Sequence, residues 1–220
     1  LVARIKAGGI AWFATATTVA EAVAAADAGA DAIVAQGAEA GGHRGAFEAE
    51  TAETRAVGLF ALLPAVVDAV RVPVVATGGI ADARGVAAAL MLGAAAVQIG
   101  TGLLRTPEAG IARVWADALA DARPEDTTLT RAFSGRAGRS LRTAYVRAAA
   151  EADAPSPAPY PVQRALTAPM RAEAAEHGDL DRLQAWAGQA AALAPAAPAD
   201  AVVGALWDGA RKLLTGTRAR

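Results

Sequence analysis

Three apolar runs end in the same way, and that repetition restricts the fold more than any other feature of the chain. "DAIVAQG" (31–37), "VPVVATGG" (72–79) and "AAVQIGTGLL" (95–104) are each nearly free of charge and each carry glycine with glutamine or threonine toward the C-terminal side. A strand apolar on both faces belongs inside a parallel sheet covered by helices. Between the runs lie segments of helical spacing: "VAEAVAAADAGA" (19–30) with Thr18 as N-cap and Gly29 as stop, 57–70, and "ADARGVAAALMLGA" (81–94). A shorter run, "GGIAWFATAT" (8–17), supplies a further strand at the start. Strand and helix in this alternation predict βα units and a parallel α/β sheet, with ligands taken at the C-terminal strand ends.

Beyond residue 104 the pattern changes. The spacing predicts a helix over 106–122, opened by Thr106 and Pro107, and a hairpin over 127–146. A proline-rich extended segment at 151–162 leads to helices over 164–193 and 199–214.

Composition removes several function classes. A net charge of −1 and a pI near 6.2 offer no basic field for nucleic acid. With no cysteine and only two histidines, thiolate metal sites and a cysteine nucleophile are excluded, and no metal site is expected. The uncharged stretch 86–104 is broken by Gly93, Gln98 and Thr101, which favours a buried helix and strand over a membrane span. The opening residues show no signal peptide and no initiator methionine, and the lack of cysteine fits a reducing, cytoplasmic setting.

The candidate chemistry lies in the loops after the strands. "VVATGGIADARG" followed by "VQIGTGL" brings two glycine-containing turns, with Thr77 and Thr101 beside the glycines, to successive strand ends. Backbone N–H groups in such turns cradle anions, and a phosphate is the expected occupant. Without a Walker lysine, a nucleoside triphosphate is not. In "AQGAEAGGHRGAF", His43 stands behind Gly41 and Gly42, whose lack of side chains lets backbone approach a ligand. An imidazole there can exchange protons near neutral pH, with Glu39 or Arg44 as the flanking group that orients it. His177, before Gly178, reads as a helix C-terminal residue with a structural role. Gln36, at a strand end, serves either a bound ring system or the loop backbone.

"GADAIVAQGAEAGGHRG" (29–45), "VPVVATGGIADARGVAAALMLGAAAVQIGT" (72–101) and "TRAFSGRAGRSLR" (130–142), supported by "WAGQ" (186–189), closely resemble nitronate monooxygenases, formerly called 2-nitropropane dioxygenases. The resemblance implies an FMN-dependent TIM (β/α)8 barrel, of which this chain would hold the C-terminal half, strands five to eight. Residues 1–102 would be that half-barrel, 103–168 a smaller substrate-side domain, and 169–220 helices returning to the barrel. The flavin and its phosphate would be held by Gln36, Gly41, Gly42, Thr77, Gly78, Gly79, Gln98, Ile99, Gly100 and Thr101. His43 would be the catalytic residue, abstracting the α-proton of a nitroalkane or holding the anionic nitronate, with O₂ as co-substrate and a carbonyl compound and nitrite as products. The family's N-terminal half-barrel would be the missing partner, and the 220-residue chain alone is expected to bind FMN poorly. The same motifs occur in flavin-dependent enoyl-acyl-carrier-protein reductases and NADH:quinone reductases, so those activities stay open, as does an inactive binding module.

Overall fold

A computed structural model describes residues 2–216. The described chain divides into two compact units: Leu1–Glu39, Gly45–Ile99 and Ala205–Arg220 form the first, Ala40–Arg44 and Gly100–Gly204 the second.

The first unit is α/β. Its sheet has the order β1-β2-β4-β5, with β1 Phe13–Ala16, β2 Ala32–Gln36, β4 Val74–Thr77 and β5 Ala96–Gln98, all pairs parallel. The register aligns Gln36 with Thr77 and Thr77 with Gln98, so the polar strand-end residues lie in one row. The helices of this unit are α1 Val2–Ala7, α2 Val19–Asp27, α3 Leu59–Ala69, α4 Ala83–Met91 and the later part of α9 Ala199–Leu214. Side chains are small where α2, α3 and α4 cover the strands: Ala16, Ala22, Ala35 and Ala76 are fully buried beside Ile33, Leu63 and Val66. Alanine at these contacts lets helix and sheet approach closely, which is where the alanine-rich composition is used.

Local chemistry sets the boundaries. Thr18 caps α2 through a complete capping box with Glu21, and Asp82 caps α4 by accepting from Gly85 N–H. Gly93, at φ 96°, turns the chain from α4 into β5. The uncharged stretch 86–104 therefore splits as expected into helix and strand, though β5 has three residues rather than ten and gives way to a 3₁₀ turn at Thr101–Leu103. No helix among the described residues is long and apolar enough to cross a membrane.

The second unit carries an antiparallel sheet of order β3-β7-β6, with β3 Gly42–His43, β6 Thr127–Thr130 and β7 Gly138–Leu141. The expected hairpin is β6–β7; β3, a two-residue strand inside the histidine loop, has no alternating signature in the sequence and is made by tertiary pairing. The single helix expected over 106–122 is broken. A 3₁₀ turn at Pro107–Ala109 ends on Gly110 at φ 60°, and α5 begins only at Arg113. The long helix expected over 164–193 is likewise α7 Val162–Leu166 and α8 Ala168–His177, stopped by left-handed Gly178 as the C-terminal reading of His177 required. α6 spans Ala144–Ala148. Leu119, Ala122, Leu141, Ala185, Ala187 and Ala191 form this unit's core.

The unit boundaries differ from those expected at 102/103 and 168/169. Residues after α8 do not return to the parallel sheet but hydrogen-bond to β7: Leu141 N–H donates to Ala185 O, and Ser140 bridges Trp186. Only the chain from Ala205 onward groups with the first unit.

Candidate functional site

In the first unit, Thr77 Oγ1 donates to Gln98 O at 2.9 Å, tying two strand ends together. Gly78 and Gly79 follow with φ 111° and 69°, a backbone path that keeps side chains off the end of β4. Together with Leu59, Leu63 and Ile80 they line a cavity of about 210 Å³. Gln36 Oε1 accepts from Gly45 N–H at 2.8 Å, so this amide oxygen serves the loop backbone, one of the two roles its position allowed. Glu39 does not take up the orienting role considered for it. Its carboxylate accepts from Leu59 N–H at 2.9 and 3.0 Å, capping α3 at a terminus where Gly58 has no side chain to do so.

The second unit holds His43, Gly41, Gly42, Gly100 and Thr101. At Gly100 and Gly42 an added Cβ would meet nothing within 4 Å, so both present bare backbone to open space. Gly41 is the reverse: a Cβ there would lie 2.5 Å from Gly188 N and 2.8 Å from Thr101 Oγ1. Thr101 Oγ1 accepts from Gly188 N–H at 2.9 Å, a structural bond that leaves its own proton for a ligand. Bare backbone such as that at Gly100 is the kind of surface a phosphate requires, whereas a Cβ on Gly79 would lie 3.2 Å from the Glu39 side chain.

β3 positions His43 by pairing it with Gly138 on β7. Its Nε2 lies 2.7 Å from Ser134 Oγ, whose side chain is fully buried. Ser134 Oγ also accepts from Arg136 N–H at 3.3 Å and can donate to Arg136 O at 3.2 Å. The imidazole therefore has an acceptor ready for an N–H on Nε2, with the serine proton passing to Arg136 O. Tyr160 and Trp186 approach the ring edge-on, with centroids 5.9 and 5.2 Å away. Burial, and then the charges of Arg136 and Arg164, push the His43 pKa below its ordinary 6.5. A half-buried, neutral imidazole held by a hydroxyl among cations can accept a proton at neutral pH, and the cations favour the anion so formed.

Sequence reasoning missed Ser134, Trp186, Tyr160, Arg136 and Arg164. Ser134 and Arg136 lie in the quoted "SGR" segment and Trp186 opens "WAGQ", so both segments were singled out without a role being given to these side chains. Arg44, the other flanking candidate, is buried at 1% exposure, and its backbone serves structure, donating to Ala137 O and accepting from Arg136.

A parallel α/β unit and a second unit carrying a serine-held histidine define the class of a two-unit α/β protein. The nitronate monooxygenase family model matches residues 1–209, and the chain belongs to that family. A probable nitronate monooxygenase of Staphylococcus aureus (strain Newman) is 40% identical over 203 residues, 92% of this chain and 57% of the relative. The chain thus spans a little over half the length of the curated relatives it matches. Among solved structures, a nitroalkane oxidase from Streptomyces ansochromogenes superposes with a TM-score of 0.91 at 40% identity, covering 99% of this chain and 62% of the other. FabK from Thermotoga maritima superposes at 0.78 with 30% identity, covering 97% and 65%.

Proposed function

We propose that the protein oxidises nitroalkanes or their nitronates with O₂, giving a carbonyl compound and nitrite, with FMN as cofactor and His43 as the base or anion-stabilising group. Family membership supports the reaction class, and the His43–Ser134 pair supports the acid–base role. The four parallel strands are read as part of a (β/α)8 barrel. Gln36, Gly41, Gly42, Thr77, Gly78, Gly79, Gln98, Ile99, Gly100 and Thr101 are the residues proposed to hold FMN, with backbone N–H groups at Gly78, Gly79 and Gly100 taking the phosphate. When bound, the flavin supplies the electron-accepting chemistry that the side chains lack.

The protein's own residues handle the proton. A neutral nitroalkane loses its α-proton to the His43 imidazole, and the carbon electron pair moves into the nitro group. The imidazolium then shares its Nε2 proton with Ser134 Oγ. A preformed nitronate skips this step and needs only the positive surroundings contributed by Arg136 and Arg164.

The test is nitrite release under air by the FMN-loaded full-length protein, from a nitroalkane and from its nitronate. His43→Asn should keep the flavin spectrum and lose at least roughly a hundredfold in nitroalkane turnover, the usual scale for removing a general base. Rapid anaerobic flavin reduction by NADH with no nitrite from either substrate would move the protein to the reductases.

A further inference from the structure

Across the ladder from His43 stands Gly138, which has no side chain to set beside the imidazole. Directly opposed residues of an antiparallel pair place their Cβ atoms about 4.5–5.5 Å apart, so the opposing side chain normally bounds its neighbour. Here another residue fills that space. A Cβ on Gly138 would sit 2.9 Å from Cη2 and 3.0 Å from Cζ3 of Trp186.

We propose that Trp186 is a positioning residue for His43: its indole occupies the place left by Gly138 and fixes the tilt of the imidazole for proton abstraction from a neutral nitroalkane. This rests on the function proposed above. The need for such a residue follows from torsional freedom. The χ2 of histidine has a broad minimum, and a hydrogen bond at Nε2 fixes that atom more than it fixes the ring plane. The indole bounds the ring plane, 5.2 Å from the imidazole and inclined at 60°.

Trp186 is itself held. Its ring packs edge-on against fully buried Phe133, centroids 6.2 Å apart. Its backbone bridges Ser140, whose hydroxyl donates to Ala185 O at 2.8 Å. Two residues on, Gly188 N–H is fixed by Thr101 Oγ1. Tyr160 also touches the imidazole but is 46% exposed and lacks such anchoring. Among the polar groups that act on His43 are Ser134, Arg136 and Arg164, none of which bounds its ring by aromatic packing.

Alignment matters for one substrate form and not the other. Breaking the α-carbon–hydrogen bond sends the proton to an imidazole nitrogen and requires a near-attack geometry. A nitronate arrives already deprotonated. Trp186→Leu should therefore lower nitroalkane turnover on the order of tenfold relative to nitronate turnover, with Trp186→Phe intermediate. A readout without turnover accompanies this. The ring C–H resonances of His43, assigned by their loss in His43→Asn, are followed by NMR beside those of His177. They should move in Trp186→Leu, and again in Gly138→Ala, whose added methyl would lie 2.9 Å from the indole and 3.0 Å from Gly42 O, while those of His177 stay still. Unmoved His43 resonances in both variants, or an equal loss with both substrates, would overturn the proposal. Wild-type protein that releases no nitrite counts against the function instead, since the ring-shift comparison still reports the contact.

Discussion

Ser134 Oγ and His43 Nε2 lie 2.7 Å apart although 91 residues separate them in the chain. The serine is fully buried, and the other two hydrogen bonds of its hydroxyl return to its own turn, at Arg136. It is thus a rigid anchor for a side chain carried on a strand of two residues. Ser134→Ala removes the partner and leaves the turn short of one acceptor. The expected result is a loss of about 1–2 kcal/mol in urea unfolding and a fall in nitroalkane turnover, with flavin content unchanged. Unaltered turnover would show that the imidazole does not depend on this hydroxyl.

The depressed pKa of His43 has a defined consequence for pH. The unfolded imidazole takes up its proton near 6.5 and the folded one only at lower pH. Between those values the unfolded chain binds more protons, so stability rises with pH through that window and is lost as pH falls through it. Turnover of a neutral nitroalkane should follow the same group, rising to a plateau above an apparent pKa under 6.5. Arg164→Gln removes one of the two cations and should bring the His43 NMR titration back toward 6.5.

Two glycines of the candidate flavin set should behave in opposite ways. Gly41→Ala forces a methyl to within 2.5 Å of Gly188 N, a backbone atom, and should cost about 1–3 kcal/mol in thermal or urea unfolding. Gly100→Ala, at φ −106° with open space beyond, should leave stability within about 0.5 kcal/mol of wild type while weakening FMN binding. Equal flavin affinity in the Gly100 variant, measured by fluorescence titration, would remove that turn from the proposed phosphate seat.

Glu39 tests the separation of structural from chemical carboxylates. Glu39→Ala uncaps α3 and should cost about 1 kcal/mol, and Glu39→Gln should recover part of it through its remaining oxygen. Neither should move the His43 titration, which is set by burial and by the charges of Arg136 and Arg164.

Periodicity alone was enough for the parallel sheet. "DAIVAQG" and "VPVVATGG" are strands because apolar runs of that length are stable only when covered on both faces, and Thr18, Asp82 and Gly93 act within a few residues of themselves. Local signals also exposed His43 and the bare turns. They overextended the helices at 106–122 and 164–193, where alanine-rich helical propensity is overruled by Gly110, by Gly178 and by pairing to β7. The surroundings of His43 could not be read in this way. Ser134, Trp186 and Gly138 act on it through contacts across long stretches of chain, and one-dimensional spacing carries no information about which distant loop will lie against which ring. Sequence determined that a histidine would stand behind two glycines in a loop after a strand; tertiary pairing decided which hydroxyl and which indole would hold it.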